Sequence, residues 1–152
     1  MKPALELSGQ PVKRGTMAHE HIVYMMMADS AARVRDEAAL RRYAPVLEEL
    51  ARRDDHRPYL AIAHRAWGIA HRLAGDCDAA ETRLMQAIEA FTELDSQWQL
   101  GRTLFEMGEL ELARSNSIAA RDYYLQALAS FGAIKAAPDV ARTRAMLESL
   151  GG

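Results

Sequence analysis

The chain has 152 residues, enough for one domain, and 49% of them are hydrophobic, which excludes disorder of the whole chain. Nineteen basic and 21 acidic residues give a net charge of −2, which argues against non-specific nucleic-acid binding because such binding needs a basic excess. A single cysteine excludes an internal disulfide, and no apolar run has the length of a membrane span or a secretory signal, so we expect a cytoplasmic protein.

The first elements follow from helical spacing and capping residues. Residues 1–16 contain two prolines and two glycines without lasting periodicity, which predicts a flexible leader before a domain at residues 17–152. Apolar residues at helical spacing begin near Met17, and Asp36 is placed to cap a second helix. Pro58 suits the first position of a third helix, where a missing N–H leaves no bond unmade.

The rest of the chain alternates apolar helical stripes with short turn signals. These signals are Gly75-Asp76, Asp95-Ser96, Ser115-Asn116 and Pro138-Asp139. Short turns favour antiparallel neighbours, so we expect helical hairpins closed by a single helix. The predicted hairpins are residues 19–58, 59–98 and 99–138, and the predicted capping helix is residues 139–150.

One pattern occurs twice, forty residues apart. The matching pairs are Gly68 and Gly108, Ala80 and Ala120, Ala87 and Ala127, and Phe91 and Phe131. Small side chains let two helix axes approach, and a large neighbour fills the space beside them. Small residues that recur at one interval therefore predict stacked helical hairpins, which bury their apolar faces against each other.

The spacing of twelve from the glycine to the first alanine, and of seven between alanines, resembles the tetratricopeptide repeat. The motif is Gly68, Ala80, Leu84 and Ala87, then Gly108, Ala120, Tyr124 and Ala127. The first hairpin matches less well, with Ala28, Leu40, Ala44 and Leu47 at the equivalent places. The resemblance implies an all-α fold, namely a right-handed α-α superhelix of three hairpins and a C-terminal capping helix.

In that family the first helix of each hairpin lines a concave groove that binds a peptide or a helix. The equivalent residues here are Ile22, Met25, Asp29, Ile62, Arg65, Ile69, Arg72, Arg102, Phe105, Glu109, Leu112 and Arg142. Guanidinium groups beside apolar patches suit an acidic or amphipathic partner. The alternative is that these arginines are solvated charges on exposed helix faces. The family's lysine and asparagine clamp is not expected, because Ile69 and Glu109 stand where asparagine would be needed.

Two other functions stay open. The forty-residue period resembles the long repeats of bacterial multidomain signalling proteins, such as ATP-dependent transcriptional activators and nucleotide cyclases. That resemblance implies a domain that senses a ligand or a peptide. The irregular first hairpin also leaves an apolar face that a second copy could cover, giving a homodimer.

No catalytic, metal or cofactor site is predicted. The chain has neither a phosphate-binding glycine loop nor a nucleophile motif, so we expect no enzyme activity. His19 and His21 lie two apart on a helix and point in different directions, whereas zinc proteases need histidines four apart. His64 and His71 share one helix face, and we expect them to pack between helices.

Three large side chains receive core assignments from their neighbours in sequence. Met27 is expected in the core, while Met25 can face the groove, because three successive helical residues spread over about 200°. Trp67 and Trp98 are both expected to be aromatic core residues.

Overall fold

The computed structural model describes the backbone of residues 13–151 and the side chains of residues 20–151. Within that part of the chain all regular structure is helical and no strand is present, so the predicted all-α class is confirmed. The helices are α1 (Lys13–Arg33), α2 (Glu37–Arg53), α3 (Arg57–Leu73), α4 (Cys77–Glu93), α5 (Gln97–Ala113), α6 (Ser117–Ala133) and α7 (Ala137–Gly151). Each helix packs against the next, and α1 also packs against α3, an order that is consistent with a helical repeat.

The predicted leader falls mostly outside the described residues. Only residues 13–16 of it are described, and they belong to α1, which begins four residues before the predicted start at Met17. The breaks at residues 74–76, 94–96 and 114–116 coincide with three of the predicted turn signals. The fourth signal, Pro138-Asp139, is wrong as a turn, because α7 begins at Ala137 and both residues lie in its first turn.

The same turn follows each helix from α1 to α6. Its middle residue is left-handed, and these residues recur every 20 positions: Arg35, Asp55, Gly75, Asp95, Ser115 and Lys135. The N–H of the next residue donates to a carbonyl five residues earlier, as from Asp36 to Ala31 at 2.9 Å, which ends the helix in a Schellman motif. Because α2 to α6 all have 17 residues, two helices and their turns span the forty residues of the sequence repeat.

The repeated glycines mark close approaches of neighbouring helices. A Cβ added to Gly68 would lie 2.6 Å from the Cγ of Leu84, which brings α3 against α4. Forty residues later, a Cβ on Gly108 would lie 2.7 Å from the ring of Tyr124, which brings α5 against α6. The spacing of the sequence motif therefore corresponds to one helix-pair contact that occurs twice.

The first hairpin is packed like the others despite its weaker motif. Ala28, Leu40, Ala44 and Leu47 are all buried, and Leu40 and Leu47 supply bulk where alanine stands in the later hairpins. The core assignment of Met27 is wrong, because its side chain is 40% exposed. Small residues of α1, Ala28 and Ala31, make the buried contacts instead.

Candidate functional site

A cavity of about 240 Å³ lies where α1, α3, α5 and α7 come together, and we call it the arginine cavity. It is lined by Asp29, Ala32, Arg33, Arg35, Arg65, Ile69, Arg72, Trp98, Arg102, Phe105, Glu106, Glu109, Asp139 and Arg142. Six of these residues are arginines and four are carboxylates, so the lining carries an excess of positive charge.

Eight of the twelve residues that the sequence placed in a groove line this cavity. They are Asp29, Arg65, Ile69, Arg72, Arg102, Phe105, Glu109 and Arg142. The other four lie elsewhere. Ile22 is exposed on α1, Ile62 is buried in the core, and Met25 and Leu112 pack against core clusters. The predicted groove residues extend further along α1 and α3 than the cavity does, since the cavity begins at Asp29 on α1 and at Arg65 on α3.

Arg65 is the most deeply buried cation of the cavity, with 2% of its surface exposed. Its Nη1 donates to the side-chain oxygen of Gln99 at 2.7 Å, and the guanidinium lies 5.5 Å from the ring centroid of Phe91. Burial lowers the pKa of Arg65 to about 9, the charge of Arg102 acts in the same direction, and Asp29 opposes them. The guanidinium stays charged at neutral pH and must be compensated inside the protein.

Arg72 lies two turns further along α3 and pairs with α5. Its Nη2 donates to Glu106 Oε1 at 3.3 Å. Burial raises the pKa of Glu106, and Glu109 beside it acts in the same direction, while Arg72 opposes both. Burial thus disfavours the charged form of Glu106, and the ion pair with Arg72 favours it.

Ion pairs cross the cavity between α1 and α5, which are distant in sequence. Arg102 Nη1 lies 3.3 Å from Asp29 Oδ2, and Arg35 Nη2 lies 3.4 Å from Glu109 Oε1. Glu109 also accepts a hydrogen bond from the hydroxyl of Tyr124 at 2.7 Å, which fixes its carboxylate. These bridges join α1 and the turn that follows it to α5.

Two aromatic rings and α7 also line the cavity. The Arg142 guanidinium stacks 4.4 Å from the ring centroid of Phe105, and that of Arg102 lies 4.8 Å from Trp98. The indole N–H of Trp98 donates to Asp139 Oδ2 at 3.0 Å. Guanidinium groups that stack on rings keep their N–H edges available for planar anions.

Six lining residues were not predicted from the sequence: Ala32, Arg33, Arg35, Trp98, Glu106 and Asp139. Helical spacing could have found Trp98, which stands four residues before Arg102 on the same face. Its core assignment is wrong, because its side chain is 44% exposed at the start of α5. Arg35 could not have been found by spacing, since it lies in the left-handed turn after α1.

Other predicted features can be placed as well. His64 is buried between helices, and His71 stacks on Trp67 with ring centroids 5.5 Å apart. Among the side chains described from residue 20 onward, no three histidine, cysteine, aspartate or glutamate residues are grouped so as to hold a metal ion. Within residues 13–151, none of the helices combines the length and the apolarity that crossing a bilayer requires.

Comparison of the chain with protein-family models and with curated proteins found no match in either case.

Proposed function

We propose that this protein is an interaction module of the tetratricopeptide type, with its hairpins wound into a right-handed superhelix. In this proposal the odd-numbered helices form its concave side, and that side binds an acidic or amphipathic peptide or helix of a cytoplasmic partner protein. The proposal assigns binding to this surface and no catalysis. The repeated glycine contacts and the turns at twenty-residue intervals support a regular stack.

The observation that supports binding most directly is the lining of the arginine cavity. Arg65, Arg72, Arg102 and Arg142 come from three different helices and converge on one concave space. Solvated surface arginines would spread apart, since like charges repel and each gains by full hydration. Phe105 and Ile69 add apolar surface in the same place, so both parts of an amphipathic ligand find a complement.

The test is binding of acidic amphipathic peptides to the wild type and to a charge-reversal variant. Arg102→Glu combined with Arg142→Glu changes two incompletely buried side chains of the cavity. We expect at least tenfold weaker binding in fluorescence polarisation, with binding that also weakens as salt is added. Arg144→Glu is the matched control, since Arg144 is exposed on α7 outside the cavity. Equal binding by all three proteins would falsify the proposal.

Self-association is a second candidate function, favoured by the outer face of α1. Ile22, Val23, Met26 and Met27 form a stripe at helical spacing, and between 40% and 60% of each side chain is exposed. A second copy presenting the same stripe would cover it in a symmetric dimer. Light scattering should then give a dimer for the wild type and a monomer for Met26→Lys. A monomeric wild type at high concentration would remove this candidate.

A further inference from the structure

Two arginine nitrogens of the arginine cavity are buried without a hydrogen-bond partner among the described side chains. They are Nη2 of Arg65 and Nε of Arg72. The nearest carboxylate oxygen of Asp29 lies 3.7 Å from Nη2 of Arg65, too far for a hydrogen bond. Buried donors on charged groups are costly to leave unpaired, so these two nitrogens favour binding of an acceptor.

The chemistry of that acceptor follows from the groups already present. Two guanidinium groups of the cavity meet carboxylates: Arg102 meets Asp29, and Arg72 meets Glu106 through Nη2. Arginines exceed carboxylates by two in the lining, so its charge favours an anionic ligand. A planar carboxylate is matched to arginine N–H edges.

The size of the cavity limits the ligand further. Its volume of about 240 Å³ is below the range of about 300–1,000 Å³ that is usual for drug-sized ligands. A short acid fits this volume better than a long peptide does.

We propose that the arginine cavity is a carboxylate-binding site, in which the ligand accepts hydrogen bonds from Nη2 of Arg65 and Nε of Arg72. The ligand is a short dicarboxylate, or an acidic side chain offered by a bound peptide. This inference rests on the proposed binding role of the same surface and names the group that is recognised. A domain that senses a small ligand, the alternative function implied by the repeat length, would use the same site.

The experiment is calorimetric titration of the folded protein at low salt with succinate and glutarate, and separately with a Glu-rich peptide and its Gln-substituted analogue. We expect a dicarboxylate to bind with a Kd below about 1 mM, while succinamide, which lacks the charges, does not bind. Arg72→Gln should weaken binding at least about tenfold, because one charge-assisted bond is lost. Glu106→Gln should tighten binding several-fold, because it removes the resident competitor for Arg72.

The controls separate the outcomes. Arg57→Gln changes an exposed arginine outside the cavity and should leave binding unchanged. Circular dichroism spectra identify the variants that fold. If Arg72→Gln does not fold, Glu106→Gln supplies an independent test of the site. Binding of the Glu-rich peptide alone, lost in Arg72→Gln, supports the side chain as the source of the carboxylate. If the Glu-rich peptide binds Arg72→Gln as tightly as the wild type, the carboxylate site is wrong, but the proposal of an interaction module is not contradicted. The carboxylate site is also wrong if inorganic sulfate binds with the same affinity as succinate, or if none of the acids binds.

Discussion

His64 is a histidine that the fold keeps neutral. It lies on the side of α3 that faces α4, with 7% of its surface exposed, and its Nδ1 is 2.8 Å from Nη1 of Arg83. Burial lowers its pKa to about 4, and the charge of Arg83 acts in the same direction, while Glu48 opposes them weakly. An arginine can only donate, so this contact requires the unprotonated Nδ1 of the imidazole.

The free energy of unfolding should therefore fall as pH falls from about 6.5 toward 4. Between these pH values His64 is protonated in the unfolded chain but neutral in the folded protein, so acid favours unfolding. A shift from about 6.5 to about 4 corresponds to a loss of about 3 kcal/mol. Burial also lowers the pKa values of His56 and His71, so these two residues add to the loss of free energy of unfolding as pH falls. Urea denaturation at several pH values measures the slope.

His64→Asn is the control for this prediction, because asparagine can accept from Arg83 without titrating. The variant should lose much of the slope between pH 6 and pH 4.5 while remaining folded at pH 7. An unchanged slope would show that His64 is not the source of the acid sensitivity.

The limits of prediction at the residue scale are visible at Trp98 and Met27. A large apolar side chain at helical spacing predicts burial, but it does not tell which neighbouring helix covers it. Trp98 stands in the first turn of α5, where a polar network from Asp139 and Arg102 holds the ring at the mouth of the cavity. The core assignment of Met27 is wrong because alanines, not this methionine, form the buried contact face of α1.

The six turns of the structure use five different residue types at a left-handed position, and only one is glycine. A side chain in that conformation costs about 1–2 kcal/mol, offset in part by the lower entropy of the unfolded chain. Lys135→Gly should therefore raise the free energy of unfolding by up to about 1 kcal/mol, since Lys135 is exposed. Chemical denaturation of the variant measures the change.

Gly75→Ala is the inverse change and should destabilise by about 1 kcal/mol. A Cβ on Gly75 would meet nothing within 4 Å, so backbone conformation alone is tested there. If both variants shift stability in the same direction, the left-handed residue is not what costs free energy in these turns.

The repeated glycine contacts give a second prediction at the scale of elements. Gly108→Ala should destabilise the protein by about 1–3 kcal/mol, because the new methyl group overlaps the Tyr124 ring. That ring cannot swing aside without losing its hydrogen bond to Glu109. Gly132→Ala is the matched control in α6, where a Cβ has open space and alanine favours helix. Thermal unfolding should therefore give a lower Tm for Gly108→Ala than for the wild type, and no decrease for Gly132→Ala.

Elements were predictable from the sequence to a greater extent than the site. Helix boundaries follow from local turn chemistry, as at Gly75, and the glycine motif identifies which helices touch. The cavity depends on side chains that meet across more than seventy residues, such as Asp29 and Arg102. No local pattern encodes that meeting, since it depends on how the packed helices are displaced relative to one another.

At the scale of the whole molecule, ion pairs across the cavity join α1 and the turn after it to α5. Helix α1 packs on α2 and α3, and Asp29 and Arg35 tie it to α5. In a stack where each helix contacts mainly its neighbours, a helix at one end of the described stack can open without unfolding the rest. The two bridges therefore act on the opening of the arginine cavity more than on global stability.

Arg35→Gln combined with Arg102→Gln should test this division, because it removes both bridges and leaves Asp29 to face the buried Arg65. Partly exposed pairs contribute about 1 kcal/mol or less each, so the free energy of global unfolding should change little. Amide hydrogen exchange in α1 should become several-fold faster, because local opening of that helix loses both bridges, while exchange in α4 and α6 stays unchanged. Glu93→Gln removes a pair between α3 and α4 and should leave α1 protected. Unaltered exchange in α1 of the double variant would mean that helix packing alone holds the cavity closed.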